Sequence, residues 1–416
     1  MSTDTPSRAP APSRPNAPPK VFFPCLDGLR AIAALIVVVF HTSNNVAYFA
    51  EPITRAANDT RGVWAAAGIL ARLGNWGVAI FFVLSGFLLY RPFVAAWLQG
   101  RSVGSLQSYL ARRLVRIVPA YWIVLTYYEF VIRTTPPNGG RGAYFLFYFF
   151  AQNYRTGYVD LGGGMAVAWT LCIEMSFYLA LPLLAYLLRL ASPANKPLAT
   201  RVRLQVGVLA AASLLSLWLR YWVIQAHPLQ TFWLPAHFAW FGLGMMAATW
   251  HSGSALGVEL PSPVRFLGRF PVLAWLFALQ AFWLTTNIKV ASWVNTRPEY
   301  MAFFIGNGVS AALLLYPLVF GDQTKTRLRA VLAGQPMKWL GEVSYGIYLW
   351  HTVWLVVIAG WVTHRHWPGG FWSELVLDLA MTLTVAWLSL VLVERPLMKL
   401  VHKATASRRP AAARPG

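Results

Sequence analysis

Residues 28–46 read Gly28-Leu29-Arg30-Ala31-Ile32-Ala33-Ala34-Leu35-Ile36-Val37-Val38-Val39-Phe40-His41-Thr42-Ser43-Asn44-Asn45-Val46. About 20 mainly apolar residues at 1.5 Å each cross the hydrocarbon core of a bilayer, so this run predicts a membrane helix that stays in the mature chain. Two ionisable side chains interrupt it. Arg30 and His41 are eleven positions apart, which on an α-helix is three turns plus about 20°, roughly 16 Å along one face. Asp27 just before the run is placed to cap the helix N-terminus. Arg30 near the helix end can reach the headgroups by snorkelling. His41 is about one and a half turns from the other end, too deep to be free surface. An ionisable group at such a depth is read as functional by default, the plainer alternative being a hydrogen-bonded structural histidine.

Working outward on the same criterion gives ten segments: 28–46, 75–97, 116–132, 168–190, 204–225, 232–250, 270–287, 301–320, 343–362 and 373–394. The expected fold is therefore an all-α polytopic membrane protein with about ten transmembrane helices. Residues 143–153 are about half a span and predict an interfacial or re-entrant piece. Composition agrees: of 416 residues 57% are hydrophobic and 12% charged, against about a quarter charged in a soluble domain, which excludes a conventional soluble enzyme. The 20 Trp suit membrane interfaces.

Lys and Arg number 35 against 14 Asp and Glu, a formal charge of +21. That excess does not point to nucleic acid, because it follows the loops. With the N-terminus inside, 25 basic residues fall on the cytoplasmic side and 9 on the other, leaving Arg220 in the fifth segment. Positive-inside bias thus predicts both termini in the cytoplasm. Arg220 is expected to snorkel outward among Trp218, Tyr221 and Trp222. Residues 1–20, rich in Pro, Ser and Ala, predict a disordered cytoplasmic tail, 21–398 an integral-membrane domain, and 399–416 a basic cytoplasmic tail. Cys25 and Cys172 make no disulfide framework, and His364 and His366 fall in an outer loop. No spacing of Cys, His or carboxylates suggests a metal site, and no Walker or dinucleotide fingerprint occurs.

Several further residues are costly in lipid. Glu174, in Trp169-Thr170-Leu171-Cys172-Ile173-Glu174-Met175-Ser176-Phe177-Tyr178, falls at a depth similar to His41. A buried carboxylate costs several kcal/mol unless paired, and a histidine partner would let it both pair and do acid-base work; a bond to a neighbouring Trp or Tyr is the structural alternative. Arg113 and Arg116, in Arg112-Arg113-Leu114-Val115-Arg116, are i and i+3 on one helical face at the cytoplasmic edge of the third segment. Their forks suit phosphate oxygens, on a ligand or a lipid headgroup, although simple cytoplasmic anchoring also explains them. Ser344, Tyr348 and His351 follow an i, i+4, i+7 pattern beside Tyr345, a polar stripe that either lines a tunnel or glues helices. His237 is a weaker candidate of the same kind.

Together these pieces resemble the acyltransferase 3 family of bacterial integral-membrane O-acyltransferases. The resemblance rests on Leu26-Asp27-Gly28-Leu29-Arg30 with His41, on Gly77 to Phe87, on Arg113 and Arg116, on Trp169-Thr170 with Glu174, Phe177 and Tyr178, on Ser344-Tyr345 with Tyr348 and His351, and on Glu394-Arg395-Pro396. Ala79 and Met175 depart from it: many members carry a polar or acidic residue at the first position and a second Glu at the other. The resemblance implies transfer of an acyl group, acetyl or another short one, from cytoplasmic acyl-CoA to a hydroxyl of a sugar, glycolipid or macrolide-type acceptor, in the bacterial cytoplasmic membrane. No cofactor would be permanently bound. Under it His41 and Glu174 are the catalytic candidates, Arg30, Arg113 and Arg116 bind the donor's phosphates, and Trp169, Tyr178, Ser344, Tyr348 and His351 line the tunnel or acceptor site. Many relatives carry an added extracytoplasmic domain. This sequence reads as a stand-alone form that completes the transfer or hands it to a separate partner. A proton-coupled transporter would also have buried ionisable groups, but the second half of the chain shows no counterpart of Arg30 and His41. A purely structural membrane partner would bear the cost of these groups without return.

Overall fold

The structure, a computed structural model, describes residues 23–45, 73–133, 141–154, 165, 167–226, 228–287, 297–321, 327–363 and 370–407. The expected tail at 1–20, His364, His366 and the last residues of the basic tail lie outside these. Every regular element among the described residues is helical, as the apolar runs require in a solvent that cannot satisfy an open strand.

The helices, in chain order, are α1 Pro24–Asn45, α2 Leu73–Leu98, α3 Leu106–Tyr127, the one-turn α4 Tyr144–Tyr148, α5 Ala168–Ala191, α6 Leu198–Ala226, α7 Leu234–Ser254, α8 Ser262–Arg269, α9 Pro271–Asn287, α10 Arg297–Phe320, α11 Arg327–Leu332, α12 Gln335–Thr363, α13 Phe371–Ser389 and α14 Arg395–Ser407. All ten predicted segments are helical, and the half-span at 143–153 is the short α4 flanked by 3-10 turns. Among the described residues eight helices are long and apolar enough to cross a membrane, and a ninth crossing is counted if α8 and α9, bent by 102° at their junction, form one span. The remaining predicted segment is α7. It carries His237, Gly242, Gly244, Thr249 and His251 and lies mostly buried between α2, α6 and α10. A helix screened from lipid by its neighbours has no need of a uniformly apolar surface.

Two of the helix starts that differ from the sequence reading have a visible local cause. Proline, with its φ already helical and no N–H to orphan, opens α1 at Pro24. Asp27 therefore sits inside the first turn and pairs with Arg30 at 3.2 Å instead of capping the end. At α3, Ser105 accepts from the Ser108 backbone N–H at 3.2 Å, so the helix starts at Leu106 and already contains Arg113 and Arg116. After Tyr127 it continues as a π-turn to Ile132, and a second π-turn, Leu390–Glu394, joins α13 to α14.

At the centre α1 packs against both α2 and α12, α2 packs on α7, and α13 backs α12. The α2–α7 contact is close because both helices offer glycine: a Cβ on Gly86 would strike the Phe241 carbonyl, and one on Gly244 would strike the Val83 carbonyl. The periphery is apolar, with Leu183, Leu187 and Leu190 of α5, Leu214, Leu215 and Trp218 of α6, and Leu276 and Leu284 of α9 exposed. In water such a surface would aggregate; against lipid tails it is the expected face of a multi-pass membrane protein.

Arg220 does not snorkel. Its side chain is 3% exposed and donates to the carbonyls of Thr231 and Ala236, both at 3.2 Å, and to the Tyr300 hydroxyl at 2.7 Å, with its guanidinium 3.9 Å from the Phe304 ring centre. Its fork ties α6 to the turn before α7 and to α10. The planar fork spreads its donors over acceptors on three separate segments, a geometry that a lysine's single compact ammonium does not match.

Candidate active site

Five helices enclose a cavity of about 300 Å³. Arg30 comes from α1; Val78, Phe81, Phe82, Ser85 and Leu88 from α2; Arg113, Arg116 and Ile117 from α3; Thr170, Glu174 and Tyr178 from α5; and Ser344, Tyr345 and Tyr348 from α12. The i, i+3 spacing of Arg113 and Arg116 on α3 and the face of α1 that carries Arg30 bring three guanidinium groups to one chamber. Arg30 keeps Asp27 as a partner at 3.2 Å.

Glu174 is part of this cluster. Its carboxylate accepts the Ser85 hydroxyl at 2.7 Å and bonds Tyr178, within the field of Arg30 and Arg113. The expected pairing of Glu174 with His41 is not what the helices produce. His41 instead places Nδ1 2.9 Å from the Val37 carbonyl and 3.2 Å from Nε2 of His351. His351, fully buried, has its own Nδ1 3.0 Å from the Ile347 carbonyl. A similar depth inferred from the sequence says nothing of lateral position: α12 stands beside α1, whereas Glu174 on α5 faces α2.

Neither His41 nor His351 lines the cavity. Tyr348, in the cavity wall, has its ring centre 6.0 Å from His351, and Phe81, also in the wall, lies edge-on to Tyr348 at 6.0 Å. Tyr348 donates its hydroxyl to the Val167 carbonyl at 3.1 Å and shares a hydrogen bond with Thr170, so it crosses from α12 to the start of α5 at one end of the chamber. Of the proposed lining residues, Tyr178, Ser344 and Tyr348 are in the cavity wall. Trp169 is not: its ring lies against Phe232 at 5.0 Å and His237 at 5.6 Å. Ser344 turns its hydroxyl to the Gly341 carbonyl at 2.8 Å.

Sequence reasoning passed over Ser85 and gave Tyr345 no role of its own. Tyr345 donates to the Ile117 carbonyl at 2.7 Å, tying α12 to α3 beside the arginines. It also missed two buried carboxylates, Glu374 and Asp378, four apart on one face of α13; Asp378 accepts from Thr382 at 3.0 Å and bonds Thr42, the neighbour of His41. Their i, i+4 spacing in an apolar run was the available signal. In the motif ending in Pro396, Arg395 pairs with Glu342 at 2.8 Å and joins α14 to α12, while Glu394 is buried within the field of Arg116. Among the described residues no group of three His, Cys, Asp or Glu could hold a metal ion.

Comparison with known proteins bears on this arrangement. The chain is 26% identical over 398 residues to the peptidoglycan O-acetyltransferase OatA of Listeria monocytogenes, covering 91% of this chain and 56% of that protein. It is 26% identical to nodulation protein 10 of Rhizobium leguminosarum, covering 92% and 95%, and 25% identical to the putative peptidoglycan O-acetyltransferase YrhL of Bacillus subtilis, covering 90% and 55%. The chain thus spans about half the length of the two peptidoglycan O-acetyltransferases. No solved structure matches it. The profile described as an acyltransferase domain matches residues 23–392, from the residue before α1 into the second π-turn, and the chain belongs to that acyltransferase 3 family.

Proposed function

We propose that this chain is an O-acyltransferase of a bacterial cytoplasmic membrane that moves an acetyl or other short acyl group from acyl-CoA to a hydroxyl on a sugar, glycolipid or macrolide-type acceptor. One observation carries the reading: Arg30, Arg113 and Arg116 converge on a single cavity, and His41 lies about 16 Å from Arg30 along the same helix. Three guanidinium groups in a partly apolar chamber suit a polyphosphate, and an extended pantetheine arm suits the distance from there to the histidine. The relatives named as O-acetyltransferases support acetyl as the group and a hydroxylated glycan as the acceptor class.

In the chemistry that follows, a neutral His41 accepts the acceptor's hydroxyl proton as oxygen attacks the thioester carbonyl. The carbon–sulfur bond breaks, and the departing thiolate takes the proton back from the imidazolium, leaving ester and free thiol. Glu174, bonded to Ser85 and Tyr178, acts in this reading on the arginine chamber and not on the imidazole ring. An acyl-histidine intermediate is the covalent variant of the same reaction.

The test compares envelope glycolipids and secreted metabolites by mass between a host carrying the intact gene and one lacking it. Loss of an acyl-sized increment supports the proposal and identifies the group. Identical profiles, together with no transfer of label from radiolabelled acetyl-CoA in membranes of the producing strain, would refute it.

A further inference from the structure

His41 and His351 meet through atoms whose protonation can be worked out. A backbone carbonyl only accepts, so Nδ1 of His351, 3.0 Å from the Ile347 carbonyl, carries a hydrogen. In a neutral ring the other nitrogen, Nε2, then holds a lone pair. That lone pair is 3.2 Å from Nδ1 of His41, and Nδ1 of His41 is also 2.9 Å from the Val37 carbonyl. With an acceptor on each side, Nδ1 of His41 must be the protonated nitrogen. The opposite assignment sets two ring lone pairs against two carbonyl oxygens, in a place where water is excluded on the His351 side. Nε2 of His41 is left as the unprotonated nitrogen.

We propose that His351 is a positioning residue for His41, sharing its Nδ1–H with the Val37 carbonyl and so holding the ring in the orientation in which the unprotonated Nε2 takes a proton. The inference rests on the reading of His41 as the base and adds what sets its orientation. His351 fills the place that a carboxylate was expected to fill, with a neutral acceptor. When Nε2 of His41 gains the hydroxyl proton, the ring becomes cationic and the Nδ1–H bond to His351 becomes charge-assisted, hence stronger. The hydrogen bonds of His351 to its own helix hold it in place for this: the ring cannot turn its Nε2 away without losing the Ile347 carbonyl. His41 is thus oriented by a residue 310 positions away in the chain, on the helix beside it.

The full-length protein labelled with ¹⁵N-histidine in detergent gives the direct readout, with the His41 signal assigned by its loss in His41→Ala. The expected spectrum shows His41 protonated at Nδ1 and bare at Nε2; the reverse tautomer in the wild type would overturn the proposal. His351→Phe keeps the ring volume but removes the acceptor, and should lower kcat about 10²–10⁴-fold while the KM for acetyl-CoA moves less than about threefold. His351→Gln, whose side-chain oxygen can reach the place of Nε2, should recover activity to within about tenfold of wild type. Equal losses in the Phe and Gln variants would also overturn it. Full transfer by His41→Ala would instead overturn the base reading, and the spectrum decides the tautomer independently of that result.

Discussion

Arg113→Ala and Arg116→Ala should each weaken acetyl-CoA binding by about 1.5–3 kcal/mol, or roughly 10- to 150-fold, since under the proposed function each removes a charge-assisted contact to phosphate. Calorimetric titration of the purified protein checks this, and unchanged affinity in both would make them anchors. His41→Ala, in contrast, should leave donor affinity within about threefold and reduce turnover by about 10²–10⁴-fold. Rapid-quench experiments without acceptor separate the two routes: trapped protein-bound label marks acyl-histidine, and its absence marks general-base catalysis. These residues were visible in the sequence because a charge or an imidazole stands out in an apolar run. Their partnerships were not. Periodicity assigns Glu174 and His41 a height and a face, while the neighbour each face meets depends on how ten helices are ordered around one another. Ser85 was silent for a different reason, since a serine in a membrane helix costs little and is common at helix contacts.

At the scale of helices, the glycines of α2 and α7 make the sharpest prediction. Gly244→Ala introduces a Cβ against the Val83 carbonyl, a backbone atom that cannot rotate aside, and the overpacking should cost about 1–3 kcal/mol. Thermal unfolding in detergent should show a lowered Tm, and Gly207→Ala on α6, where a Cβ meets nothing within 4 Å, should not. An equal drop in both would remove close approach as the explanation. Helix existence was legible from apolar runs, but the start of α3 was not. Leu106 to Val115 includes Gln107, Ser108, Arg112 and Arg113, and apolarity measures how much of a helix lies in lipid, whereas Ser105 decides where the helix begins. The 102° bend between α8 and α9 escaped in the same way, because a hydropathy run records length and not direction.

For the whole molecule, the 25 to 9 division of basic residues leads us to propose that both termini are cytoplasmic. A cysteine in place of Pro10 should react with an impermeant maleimide only after cells are opened; reaction in intact cells would reverse the orientation. Background from Cys25 and Cys172 is low, since both are buried. The class of architecture was the most legible property of all, since a membrane leaves few ways to satisfy a backbone. The cavity was the least, as it belongs to five helices jointly.

The burial of α7 also bears on how the protein is made. A segment with two histidines, paired glycines and hydroxyls partitions poorly into bare lipid, so it needs company on leaving the translocon. Chain order provides it: α2 and α6, two of the helices that flank it, are synthesised beforehand, and α10 arrives later to complete the enclosure. In a glycosylation-reporter fusion, α7 preceded by α6 should insert more fully than α7 alone. The same peptide that is safest in the finished bundle is the one most exposed to quality control during biogenesis, and lesions that slow α6 should be felt first there.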